Sequence, residues 1–218
     1  MFQQFLMLVR HCLADSRVNI SVDGTYRFSL DIAQVVELGL KNGQEIDDEQ
    51  LINFEQESEF GKLYARTLEY CLMRPHSAQE IRNYLWKKTL HKKVKNKKTG
   101  DILDKKGIPT DITDRVFERL KQKGYIDDEK FARFWVENRN QRKGSSIRKL
   151  KNELRAKNVE NTIIETIITQ SHRNDTDELQ KIIKKKQSKY SDEKKFIQYL
   201  MRQGFRYEDI CHALAQER

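Results

Sequence analysis

Proline and glycine are scarce in this chain, two and nine among 218 residues. A sandwich or barrel needs a breaker at every turn, so this scarcity excludes an all-β fold and favours helices that run uninterrupted. Cysteine is rare as well: Cys12, Cys71 and Cys211 are far apart and form no C-x-x-C pair. That pattern fits neither a disulfide framework nor a thiolate metal site, and a reducing cytoplasm is the expected compartment. No long apolar run is present. The opening "MFQQFLMLVRHCLADS" has an apolar patch without a cationic start, so it is expected to be a buried strand or helix and neither an export signal nor a membrane anchor. His11, His76, His91, His172 and His212 lack ligand spacing, and no Gly-rich phosphate loop, nucleophile elbow or acidic nuclease motif occurs. No metal, cofactor or catalytic activity is therefore expected. Apolar residues make up only 37%, which suits several small cores better than one large one.

What the chain has in quantity is charge. Charged residues are 34% of the total, with 42 Lys+Arg against 33 Asp+Glu and a formal net charge of +9. This balance points to an anionic partner, nucleic acid first.

Residues 1–57 read as a small mixed cap. Val18, Ile20 and Val22 alternate before Asp23-Gly24, and Tyr26, Phe28 and Leu30 alternate after it. D-G supplies the positive φ angles of a tight turn, so a β-hairpin is expected, with "MFQQFLMLV" able to add a third strand. "IAQVVELGLKNGQEIDDEQLINF" then reads as two short helices separated by Gly43.

From Phe60 the period becomes helical. Phe60, Leu63, Tyr64, Thr67, Leu68 and Cys71 share one stripe, and Arg74-Pro75 ends that helix. The capping box Ser77-x-x-Glu80 starts a second, with Ile81, Tyr84 and Leu85 inward. A third carries Val116, Phe117 and Leu120 and stops at Gly124. The same three-helix pattern returns in residues 127–171 (Phe131, Ala132, Trp135 and Val136; Leu150 and Leu154; Ile163, Ile164, Ile167 and Ile168). It returns again in residues 172–218 (Leu179, Ile182 and Ile183; Phe196, Tyr199 and Leu200; Ile210 and Leu214). Ile81, Leu150 and Phe196 fall in one column, and Leu85, Leu154 and Leu200 in another. Between the first two copies the spacing is longer, which places a basic insertion at about 89–111 within module 1, residues 58–126. That insertion, "TLHKKVKNKKTGDILDKKGIPT", reads as an extended helix end and loop, mobile when unbound, or as a small hairpin around Thr99-Gly100. The fold class is thus mainly α: three tandem three-helix modules in an elongated curved rod, preceded by a β-hairpin and short helices.

"RPHSAQEIRNYL" (Arg74 to Leu85), "YIDDEKFARFWVENRNQRKGSSIRKLKNELRAKNV" (Tyr125 to Val159) and "KFIQYLMRQGFRYEDICHAL" (Lys195 to Leu214) resemble the three modules of the RecX family, regulators of the RecA recombinase. "VNISVDGTYRFSLD" and "ELGLKNGQEI" resemble the amino-terminal segment of its longer members. The most specific stretch joins Asp127-Asp128, Phe131-Ala132, Phe134-Trp135, Arg139 and Lys143-Gly144. Two departures stand out: Lys88-Thr89 runs into the insertion where the family has a glycine, and Asn158 takes that place in the second module. The resemblance implies a non-enzymatic protein, working without cofactor, that lies in the groove of the RecA filament on DNA and modulates its assembly, ATP turnover and strand exchange. Its partners would be the filament and single- and double-stranded DNA, met by a cytoplasmic monomer.

Residues able to neutralise phosphates are Arg139, Arg142, Lys143, Arg148, Lys149, Lys151 and Arg155 around the central hinge. Lys87, Lys88, Lys92, Lys93, Lys95, Lys97 and Lys98 form a second group beside the insertion. Singly, each lysine fits a solvated helix face; clustered, they form a basic patch. Gly144, Ser145 and Ser146 offer backbone N–H groups at a helix start, which favours an anion there. Trp135, Phe134, Trp86 and Tyr84 are the aromatics able to stack on exposed bases, but Trp135 continues the core stripe from Phe131, while Phe134 and Trp86 sit closer to the stripe edges and suit a protein contact better. Asp127 and Asp128 are expected to cap a helix rather than act as a catalytic pair. A helix-turn-helix transcription regulator is the alternative reading; it would gather base-reading side chains on one helix.

Overall fold

Asp23 and Gly24 both have positive φ, 49° and 76°, and turn β2 (Arg17–Val22) into β3 (Thr25–Asp31). The computed structural model describes residues 4–10, 17–95 and 100–216. His11, Cys12, Lys97, Lys98 and Thr99, named above, lie outside them. β1 (Gln4–Arg10) pairs antiparallel with β2 and, on its other side, with β4 (Gln44–Ile46), giving the order β3-β2-β1-β4. The expected third strand is therefore present. The register of β2 against β3 shifts at Ile20/Ser21. Val18, Ile20, Val22, Phe28 and Leu30 stay buried, but Tyr26 is 56% exposed. Strict alternation had placed Tyr26 with Phe28; the shift moves it to the solvent face.

Only one of the two short helices expected around Gly43 exists. Asp31 caps α1 (Ile32–Glu37) in a reciprocal box with Gln34. After Gly43 the chain makes β4, because Gln44, Glu45 and Ile46 complete the sheet edge against Leu6, Phe5 and Gln4. "DEQLINF" is then the start of a 26-residue helix, α2 (Asp48–Met73). Asp47 and Gln50 exchange side-chain-to-backbone hydrogen bonds of 2.7 and 3.1 Å at its N-terminus. Leu51, Phe54 and Ser58 of α2 face the sheet, and Ser58 Oγ donates to the Ser29 carbonyl at 2.8 Å. Its later turns bury Leu63, Thr67 and Cys71, as the stripe predicts. α2 thus runs unbroken through residues 57 and 58.

α3 (Ala78–Thr89) and α4 (Thr110–Gln122) follow, joined through the antiparallel ribbon β5 (Lys92–Lys95) and β6 (Ile102–Lys105). The insertion is thus a hairpin. α5 (Asp128–Asn138), α6 (Ile147–Ala156) and α7 (Asn161–Gln170) close around Phe131, Ala132, Val136, Leu154, Val159, Ile164 and Ile167. α8 (Asp175–Lys186), α9 (Glu193–Arg202) and α10 (Tyr207–Gln216) close around Leu179, Ile182, Ile183, Phe196, Leu200, Phe205, Ile210 and Leu214. Each small core follows its apolar stripe.

The chain divides into two compact units: residues 1–73 with 82–125, and residues 74–81 with 126–218. Cys71 and Cys211 are free thiols. Among the described residues no helix is long and apolar enough to cross a membrane, and no three metal-ligating side chains gather.

Candidate nucleic-acid interface

α6 is amphipathic by its spacing. Leu150 and Leu154 are fully buried, and Ser146 Oγ accepts from Lys149 N at 3.1 Å to cap its start. Arg148 and Arg155 face solvent, while Lys149 and Lys151 are half-buried.

The cations singled out from the sequence divide once side chains are placed. Arg139 is held by Glu153, with Nε at 2.9 Å and Nη2 at 3.2 Å, and its guanidinium lies 4.9 Å from the Trp135 ring centroid. Lys149 Nζ donates to Gln203 Oε1 at 2.7 Å. Lys151 pairs with Glu165 at 2.5 Å. Arg155 donates to Asn161 and Asn152 and lies 3.9 Å from Glu165. Arg142, Lys143 and Arg148 are exposed and enter no ion pair among the described residues. Arg148 and Lys149 also line an open cleft of about 480 Å³ with Arg202 and Gln203 of the α9 end. Arg202 had not been singled out; its one sequence signal is its place in the last turn of the repeated second helix.

In the first unit, Lys87 is exposed and Lys88 Nζ sits 4.5 Å from the Tyr84 ring centroid. Tyr84 itself stacks on Tyr70 with centroids 4.5 Å apart, so its ring is already covered. Lys92, Lys93 and Lys95 stand exposed on β5. Strand pairing sets Lys92 against Lys105 and Lys93 against Asp104. Lys105 and Lys106, also exposed, thereby join the basic group. They escaped notice because only the ribbon register brings "DKKG" back beside "HKKVK". Trp135 is half-buried against the α5–α7 core and donates Nε1–H to Glu153 at 3.0 Å; Phe134 is half-buried and Trp86 is exposed.

One expectation is overturned. The N-terminus of α6 offers no free anion site, since carboxylates of α8 already occupy it. Ser145 N donates to Glu178 at 2.8 Å and Ile147 N to Asp175 at 2.7 Å, with Ser145 and Ser146 both buried. Gly144 makes this approach possible: with φ +81°, an added Cβ would lie 2.5 Å from the Glu178 carbonyl oxygen. The same device recurs one module earlier. Asp127 caps its own helix through Glu129 N and Lys130 N, both at 3.0 Å, while Asp128 accepts from Ala78 N at 2.8 Å at the start of α3. Beside that contact, Ser77 accepts from Glu80 N at 3.1 Å, the first half of the expected box. The Glu80 carboxylate turns elsewhere, to Arg74 at 3.0 Å, His76 Nδ1 at 2.9 Å and Lys157 at 2.6 Å. Burial alone would raise its pKa; the hydrogen bonds from Arg74, Lys157 and His76 outweigh that and hold it at about 2.

Comparison with known proteins finds relatives that cover most of this chain. The model of RecX, second three-helix domain, matches residues 127–167, and that of the regulatory protein RecX N-terminal domain matches residues 14–47. "Regulatory protein RecX" of Bacillus subtilis (strain 168) is 30% identical over 207 residues, covering 92% of this chain and 72% of the relative. The chain belongs to the RecX family. A second RecX relative, from Caldanaerobacter subterraneus subsp. tengcongensis, is 28% identical over 91% of this chain and 92% of its own. A solved RecX structure shares the fold, with a TM-score of 0.68 at 19% identity over 95% of this chain and 97% of the other. RecX relatives carry the description of regulatory proteins, and the matched second-module segment contains the α5–α6 turn and α6.

Proposed function

We propose that this chain is a non-enzymatic regulator of a RecA-type recombinase, engaging the recombinase filament and its DNA and controlling filament assembly and ATP turnover in recombination and repair. Family membership supports the regulatory role. The observation that carries the contact is that, of the cations picked out by sequence, Arg142, Lys143 and Arg148 in one unit and Lys87, Lys92 and Lys95 in the other are exposed and enter no ion pair among the described residues. Unpaired surface cations that displace counterions from phosphates give salt-sensitive binding. Lys88 and Lys149 add to these groups, whereas Arg139 and Arg155 act mainly to fix α6 against its neighbours. On this reading the three modules at about 58–126, 127–171 and 172–218 work as one cytoplasmic monomer. These cations are spread over α3, the ribbon, the α5–α6 turn and α6, which disfavours a repressor with a single recognition helix.

The test is the ATPase rate of a RecA-type recombinase on single-stranded DNA with purified protein added. Suppressed turnover at substoichiometric amounts is the expected result. An unchanged rate across the titration would overturn the proposal.

A further inference from the structure

We propose that the first unit holds a subsite for one unpaired nucleobase, in the cleft between α3 and α4, with Trp86 as the stacking platform. The inference deepens the DNA-binding reading above and rests on it. α3 buries Leu85 at 3% exposure, and the next residue, Trp86, projects outward with 60% of its surface exposed. The other tryptophan, Trp135, is packed and hydrogen-bonded, so Trp86 is the indole available to a ligand.

Beside Trp86 the surface dips into a cleft of about 200 Å³, lined also by Arg82, Thr89, Thr110, Asp114 and Phe117. Ligand pockets for whole cofactors run to roughly 300–1,000 Å³; this one takes a single planar ring system. The Arg82 guanidinium sits over the Phe117 ring, 3.9 Å from its centroid, and adds a cationic wall to the cleft. Asp114 is exposed and lines the same cleft, so the wall includes a carboxylate acceptor of the kind that pairs with the exocyclic amine of cytosine.

The surroundings favour nucleic acid over a protein side chain. Arg82 and Lys87 are exposed on the same helix. The basic ribbon is fixed to this helix end: Ile108 N donates to the Lys88 carbonyl at 2.9 Å, and Gly107 approaches the Thr89 carbonyl so closely that a Cβ would overlap it. Lys92, Lys93 and Lys105 therefore rise from the same end of α3 as Trp86 and Thr89. An aromatic platform beside a basic track is how sequence-tolerant single-strand sites are built, with the base on the ring and the phosphates on the lysines.

The test compares a short oligo-dC strand with an abasic strand of equal length, titrated against the full chain at low salt. The abasic strand keeps the phosphates and loses the bases. Wild type is expected to bind oligo-dC about tenfold more tightly. Trp86→Ala should bring oligo-dC down to the abasic affinity, leaving the abasic affinity and the melting temperature unchanged, while Trp86→Phe should keep most of the preference. Equal wild-type affinity for both strands would overturn the subsite and leave phosphate binding intact. A preference that survives Trp86→Ala would overturn it too, assigning the exposed indole to a protein partner. If neither strand binds, the subsite and the DNA-binding reading fall together.

Discussion

Glu80 accepts hydrogen bonds from Arg74, His76 and Lys157 at once, and its carboxyl titrates at about 2 in the folded chain against an ordinary 4.5. A depressed carboxyl adds stability that is complete above its unfolded pKa and is lost as pH falls through the folded value. Glu80→Gln should therefore cost about 2 kcal/mol at neutral pH. The gap from wild type should close between pH 4.5 and about 2, as urea unfolding at several pH values would show. A similar residue-level contrast separates Arg139 from Arg148. Arg139 is consumed by Glu153 and Trp135, whereas Arg148 is exposed. Reversing Arg142, Lys143 and Arg148 together to Glu should weaken binding of single-stranded DNA and flatten the log-affinity against log-salt slope by about two. Arg139→Ala should leave that slope alone and lower stability instead. Anisotropy titrations across a salt series check both, and a wild-type slope in the triple variant would remove those three residues from the interface.

At the scale of the element, helix starts take acceptors from other helices. Ala78 N at the start of α3 and Ile147 N at the start of α6 donate to Asp128 and Asp175, in the first turns of α5 and α8. Burial, with smaller contributions from the Asp209 and Glu178 charges, raises the Asp175 pKa. What the junction needs from this side chain is an oxygen acceptor more than a charge. Asp175→Asn should therefore change neutral-pH stability by less than about 0.5 kcal/mol, and Asp175→Ala should cost about 1–2 kcal/mol by stranding Ile147 N. Because the folded pKa is raised, wild type loses stability as pH rises through the carboxyl range. The balance between wild type and Asp175→Asn should shift toward the variant over the same interval, which chemical denaturation can follow. In the ribbon, Lys92 faces Lys105 directly. Like charges opposed across strands are unfavourable, and an isolated two-stranded hairpin is marginal, so the element is suited to a polyanion that relieves the repulsion.

For the whole molecule, a formal charge of +9 predicts steep salt dependence. With some five or six phosphates neutralised, affinity for single strands should fall on the order of a hundredfold between roughly 50 and 200 mM salt. A flat salt profile in an equilibrium titration would remove the electrostatic basis of the proposed function. The repeated modules also differ at their joints. Ile126 and Phe131, just before and within α5, are buried at 7% and 0% exposure. The corresponding places around α8 hold Arg173 and Glu178, 3.6 Å apart with side chains only 10% and 2% exposed. A copy that repeats the helix pattern thus replaces an apolar pair with a buried ionic one. Glu178 answers to several groups there, accepting also from Ser145 N and Lys181.

Periodicity determined the helices and the columns of buried Ile81, Leu150 and Phe196, and the Asp23-Gly24 turn with its flanking alternation determined the hairpin, because apolar spacing and turn residues are local properties that each element carries with it. Family motifs were equally legible, being contiguous strings. Gln44–Ile46 as a strand, the outward turn of Tyr26, the pairing of Lys92 with Lys105 and the fate of each cation depended on residues distant in the chain. A lysine reads the same whether Glu165 lies beside it or open water does, and a helix start reads as an anion site until Asp175 and Glu178 arrive to fill it. Only tertiary structure decides such matters, since hydrogen bonds and ion pairs are settled over a few ångströms of space and not by spacing along the sequence.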